Sequence, residues 1–131
     1  MKGMNPVGWF EIYVQDISRA QKFYESVLGV SMAELPTPTG DDLKMMMFTP
    51  SNENAMERPG STGALCQMAG VQSGGNSTLV YFMCDDCAVE EGRVESAGGG
   101  VFKSKFAIGE YGFISLCTDT EGNMFGLHSM K

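Results

Sequence analysis

A spacing of 70 residues relates two halves of this chain. Trp9-Phe-Glu-Ile-Tyr-Val-Gln-Asp16 alternates as a strand does and ends on an aspartate, and Leu79-Val-Tyr-Phe-Met-Cys-Asp-Asp86 repeats that form. Asp16 matches Asp86, Glu25 matches Glu95, Ser26 matches Ser96 and Gly29 matches Gly99. Self-similarity at a fixed offset marks a duplicated supersecondary unit. Both copies read as strand, acidic cap, helix, glycine and further strands. The expectation is one domain over 1–131, made of repeats at about 5–70 and 77–130.

In the first copy, β-branched and aromatic residues at 8–14 predict a strand. Asp16 is placed to cap a helix running to Leu28, because its carboxylate can accept from the first free N–H groups. Ile17, Ala20, Phe23 or Tyr24, Val27 and Leu28 form the expected apolar stripe. Gly29 stops the helix. Strands are expected near 30–35, 43–49 and 62–69, with a polar loop at 50–59. The second copy predicts a strand at 78–84, a helix at 86–97 and the stop Gly98-Gly99-Gly100. Strands follow near 101–106, 112–118 and 124–129. The fold class is therefore α+β, two tandem βαβββ modules with helices outside.

Composition excludes several functions. Hydrophobic residues at 43% and charged ones at 19% exclude a disordered chain. A net charge of -7 repels a phosphate backbone, so no nucleic-acid partner is expected. No run approaches the ~18 apolar residues of a membrane span, and Met1–Pro6 carries no secretory h-region. A cytoplasmic protein with reduced thiols is expected. His128 is the one histidine, which excludes any site needing two from one chain.

Phe10-Glu-Ile-Tyr-Val-Gln-Asp16, Ala20-Gln-Lys-Phe-Tyr24, Val27-Leu28-Gly29 and the closing Asp119-Thr-Glu-Gly122-Asn123 with Gly126-Leu127 resemble the vicinal oxygen chelate superfamily. That group contains glyoxalase I, bleomycin-resistance proteins and extradiol dioxygenases. The resemblance spans about residues 5–130. It implies curled mixed sheets that form a cup, and a homodimer. Metal-dependent members place ligands on the first and last strands of each module. Those positions here are Trp9, Leu79 and Gly126, with Ala64 as the counterpart of Gly126. None can ligate a metal. A member lacking the usual metal ligands, with no cofactor, is the expectation.

Alternation then assigns faces. If Trp9 faces the cup, Glu11 and Tyr13 do too, while Phe10, Ile12 and Val14 face the helix. Leu79, Tyr81 and Met83 face in by the same rule, joined by Met124, Gly126 and His128, with Cys66 from the fourth strand. Glu11, Cys66, Tyr81 and His128 are expected to form a polar ring. Trp9, Glu11, Tyr13, Tyr81, Met83, Met124 and His128 are the candidate ligand contacts. Two functions stay open. One is metal-independent binding of a small aromatic or cationic molecule, anchored by Glu11. The other is a lyase- or isomerase-type enzyme using Glu11 with His128 or Tyr81 as acid–base groups.

Cys84-Asp-Asp-Cys87 fits a C-x-x-C template, but zinc requires a second ligand pair and Cys66 and Cys117 are isolated. Cys87, at a helix start, is the more acidic thiol by position. Asp41-Asp42 and Glu90-Glu91 read as solvated faces.

Overall fold

The computed structural model describes residues 5–37, 42–49, 54 and 57–131. The first four residues, Asp41 and most of the 50–59 loop therefore lie outside the described residues. The elements are β1 (Val7–Tyr13), α1 (Ile17–Leu28), β2 (Ala33–Leu35), β3 (Lys44–Met47), β4 (Thr62–Gln67), β5 (Thr78–Met83), α2 (Cys87–Val94), β6 (Gly100–Ala107), β7 (Phe113–Thr118) and β8 (Met124–Ser129), with a 3-10 turn at Gly109–Tyr111 before β7. The tandem βαβββ order is thus present. Two compact units are formed, one by Trp9–Thr78 and the other by Met1–Gly8 with Leu79–Lys131.

In the Trp9–Thr78 unit the strand order is β2-β3-β4-β1. β1 runs parallel to β4, and β3 is antiparallel to both β4 and β2. α1 begins and ends where local chemistry dictates. The Asp16 carboxylate accepts from the Arg19 N–H at 3.1 Å, and Gly29 turns left-handed at φ 66° with its N–H on the Glu25 carbonyl at 2.9 Å. Gln67 Oε1 accepts from the Ile17 N–H at 2.9 Å, which seats the start of α1 on the end of β4.

The helix face differs from the expected stripe. Tyr24 supplies the inward aromatic, edge-on to Phe48 at 5.5 Å, and Phe48 meets Phe10 at 5.4 Å. Phe23, Val27 and Leu28 are 58%, 62% and 55% exposed. The reason lies after Gly29, where the chain folds back onto Glu25. Its Oε2 accepts from the Met32 N–H at 2.8 Å, so a polar contact holds the last turn where Val27 and Leu28 were expected to pack.

The second unit repeats the plan, with order β5-β8-β7-β6, β5 parallel to β8, and the remaining pairs antiparallel. Asp86 caps α2 by accepting from the Ala88 N–H at 3.0 Å and pairs with Lys105 Nζ at 2.8 Å. α2 stops at Val94, short of the expected 97, and the Gly99 N–H closes back on the Val94 carbonyl at 3.0 Å. Cys87, Cys117 and Leu127 form the buried centre, packed by Phe82, Cys84, Val94 and Phe125.

Glu90 and Glu91 do not form a solvated face. Glu91 Oε1 accepts from the Ser115 hydroxyl and from the Lys105 N–H, each at 2.6 Å, and Glu90 Oε1 is buried. A helix of 8 residues must turn Cys87, Val94 and the positions between them on that side toward the sheet. The cysteines are free thiols. Burial, then the charge of Glu90, pushes Cys84 up to about 11, and burial also raises Cys117. A raised Cys84 thiol carries little thiolate, the form that binds metal or exchanges disulfides.

Candidate functional site

Strand alternation places Trp9, Glu11 and Tyr13 on one side of β1, and their side chains are joined there. The Trp9 indole Nε1–H donates to Glu11 Oε2 at 3.1 Å, and the Tyr13 hydroxyl donates to Glu11 Oε1 at 3.0 Å. Each carboxylate oxygen thus receives one aromatic donor. Glu11 is 8% exposed.

Register fixes the neighbours. Glu11 stands opposite Ala64, and Tyr13 opposite Cys66. Met45, Ala64 and Cys66 form a buried cluster against which Trp9 and Tyr13 pack. Cys66 is fully buried, and its thiol is raised above its usual range by that burial and by the Glu11 charge. Met45, Ala64 and Cys66 thus give the clamped carboxylate an apolar setting, with the Thr62 hydroxyl opposite Trp9 bonded to Thr49.

The other unit carries the matching register. Tyr81 stands opposite Gly126, and Met83 opposite His128. Gly126 is thus the counterpart of Ala64, as the motif spacing implied. A β-carbon at 126 would meet the Tyr81 ring, which is 5% exposed. Leu79, Tyr81, Met83, Met124 and His128 lie on the sheet side away from α2, since Phe82, Phe125 and Leu127 take the α2 side. His128 Nε2 lies 2.6 Å from the Tyr111 carbonyl oxygen. A carbonyl only accepts, so Nε2 carries a proton, which in the neutral ring leaves the lone pair on Nδ1. Nδ1 is buried and has no hydrogen-bond partner among the described residues. Sequence reasoning missed Tyr111, and no local signal marks a main-chain oxygen 17 residues away.

Trp9, Glu11, Tyr13 and Cys66 are brought together in one unit, and Tyr81, Met83, Met124 and His128 share a face of the other. Trp9, Ala64, Leu79 and Gly126 offer no donor atom, so these positions do not fit a divalent ion. Among the described residues no group of three or more His, Cys, Asp or Glu is arranged to hold one. Nor is any described helix long and apolar enough to cross a membrane.

Two βαβββ units, each closing its sheet with a parallel pair between its first and last strands, define a protein of the glyoxalase and bleomycin-resistance fold. Comparison with known proteins agrees. Residues 7–49 match the bleomycin resistance protein-like N-terminal family. The chain is 29% identical over 119 residues to the protein named "Putative glyoxylase CFP32" in Mycobacterium bovis and in Mycobacterium tuberculosis. That alignment covers 91% of this chain and 43% of the relative, so the chain spans less than half the length of these relatives. Streptomyces coelicolor methylmalonyl-CoA epimerase, in complex with 2-nitronate-propionyl-CoA, superposes with TM-score 0.68 at 16% identity, over 97% of this chain and 98% of that one. The Mycobacterium tuberculosis methylmalonyl-CoA epimerase also reaches 0.68, at 13% identity over 96% and 88%. The chain thus shares the fold of these proteins, and its first module is similar to the bleomycin resistance protein-like N-terminal family.

Proposed function

We propose that this chain binds a small aromatic or cationic molecule, without a metal, on the face that carries Trp9, Glu11 and Tyr13. The observation behind this reading is the Glu11 carboxylate, nearly buried and held by two aromatic donors. An ionised carboxylate in an apolar wall attracts a cation more strongly than one in water. The Trp9 and Tyr13 rings beside it offer stacking and cation–π contact. Tyr81, Met83, Met124 and His128 are proposed as ligand contacts on their own unit, and the protein as a cytoplasmic homodimer. The bleomycin-resistance match and the glyoxylase and epimerase relatives support small-molecule recognition as the class of activity.

Calorimetric titration with 1-methylquinolinium and with quinoline, neutral at pH 7.5, tests this. The reading expects saturable binding of the cation, weaker binding of quinoline, and loss of the difference in Glu11→Gln. Equal binding of both probes by the parent protein contradicts it.

A second reading is favoured by His128. A tautomer held by the Tyr111 carbonyl, with an unpartnered Nδ1, is the arrangement a general base requires. The lyase- or isomerase-type reading assigns proton transfer to Glu11 with His128 or Tyr81, and His128 is the acid–base group it tests first. His128→Gln keeps an N–H for Tyr111 and removes the ring base. Turnover surviving in that variant removes His128 from the chemistry.

A further inference from the structure

Register fixes which side chains the four strands of the Trp9–Thr78 unit present on the Glu11 side, and all four strands lie within the described residues. Beside Glu11 in its own row stand Ala64, then Met47, then Ala33. The neighbouring row runs from Tyr13 through Cys66 and Met45 to Leu35. Neither row carries a second carboxylate, or any amide or imidazole. Thr62, opposite Trp9, adds a hydroxyl already bonded to the Thr49 hydroxyl at 3.1 Å. The Cys66 thiol turns back to the Ala64 carbonyl at 4.0 Å. Main-chain carbonyls of β3 and β4 lie in the plane of the sheet, and each of these strands has a neighbour on both sides. The acceptor strength of this face is therefore concentrated in one carboxylate.

That carboxylate already holds two donors, Trp9 Nε1–H at 3.1 Å and the Tyr13 hydroxyl at 3.0 Å, and it is 8% exposed. A primary ammonium brings three N–H groups, each in need of an acceptor. With so little water within reach, Glu11 would have to serve all three. A buried donor left unserved costs about fivefold or more in affinity. A quaternary ammonium carries the same charge with no N–H at all. Its methyl groups suit aromatic ring faces and an adaptable thioether. Trp9 and Tyr13, two residues to either side of Glu11, supply the first, and Met47 supplies the second.

We propose, building on the reading that the Glu11 face binds a cation, that its ligand is a quaternary ammonium or N-alkylpyridinium ion rather than a primary amine. Glu11 provides the counter-charge, and the shortage of further acceptors turns primary amines away. Selectivity is thus set by what the wall lacks as well as by what it offers.

Calorimetric competition against 1-methylquinolinium tests this on the full chain at pH 7.5. The competitors are benzyltrimethylammonium, benzyldimethylammonium and benzylammonium, all cations with none, one and three N–H groups. Affinity is expected to fall in that order, with benzylammonium at least about fivefold below benzyltrimethylammonium. Met47→Gln adds an amide oxygen to the wall beyond Ala64 and is expected to reduce that ratio to half or less. A preference arising from methyl burial alone would not narrow. Ala64→Ser adds a hydroxyl beside Glu11 and carries the same expectation, so the proposal stays testable if one variant misfolds. Failure of 1-methylquinolinium to bind removes the Glu11 reading and this proposal with it. If that cation binds, benzylammonium matching benzyltrimethylammonium, or a ratio unchanged in the folded variants, overturns this proposal alone.

Discussion

The ring of Tyr81 lies against Gly126, its register partner across β5 and β8, and fills the space that a β-carbon at 126 would need. By the resemblance drawn from the sequence, Gly126 matches a position at which metal-dependent members of the vicinal oxygen chelate superfamily carry a ligand. In this chain an aromatic ring occupies the space beside Gly126. Gly126→Ala is expected to destabilise by about 1–3 kcal/mol, the usual range for forcing atoms into a packed region. Combined with Tyr81→Ala, most of that cost should vanish, which a double-mutant cycle of urea unfolding would measure.

The clamp on Glu11 makes a second expectation. Trp9→Phe and Tyr13→Phe each remove one donor from a nearly buried carboxylate and keep most of the ring volume. Each is expected to lower stability by about 1–3 kcal/mol. Urea titration followed by circular dichroism checks this, since the fluorescence reporter is itself lost in Trp9→Phe.

Glu91 separates the two views of α2. On a solvated face, replacement by alanine would cost less than about 0.5 kcal/mol. Bound to the buried Ser115 hydroxyl and the Lys105 N–H, Glu91→Ala is expected to cost about 1–3 kcal/mol. Glu95→Ala, at an exposed position, serves as the reference in thermal unfolding.

The boundaries of α1 were legible because the groups that set them are adjacent in sequence: Asp16 reaches Arg19, and Gly29 reaches Glu25. Register was legible for the same kind of reason, since alternation alone puts Trp9, Glu11 and Tyr13 on one side. The inward turn of Glu91 was not legible, because its partners Ser115 and Lys105 lie 24 and 14 residues away. An acidic pair with no neighbour to explain it reads as solvent-facing. The outward Phe23 was obscured by Tyr24, since two adjacent aromatics compete for one inward position.

Acid should loosen the 119–123 turn. Asp119 accepts from the main-chain N–H groups of Asn123 and Glu121 and from the Asn123 side chain, and these bonds hold its carboxyl below the usual range. A carboxyl with a depressed folded-state pKa adds stability above its unfolded pKa, and that part is lost as pH falls through the folded value. Stability is therefore expected to decline as pH drops below about 4. In Asp119→Asn that decline should be shallower. Urea midpoints measured between pH 2.5 and 6 for both proteins check the sign.

Trp9 is the only tryptophan in the chain, and its indole N–H is bonded to Glu11. Its fluorescence therefore reports on the proposed site without a label. The most direct measurement is a titration of chelator-treated protein with 1-methylquinolinium, repeated after adding zinc, nickel or manganese. The account predicts a saturable change in Trp9 emission, beyond the inner-filter effect, that is the same with and without metal and is lost in Glu11→Gln. Emission that responds only when metal is present, or not at all, would contradict it.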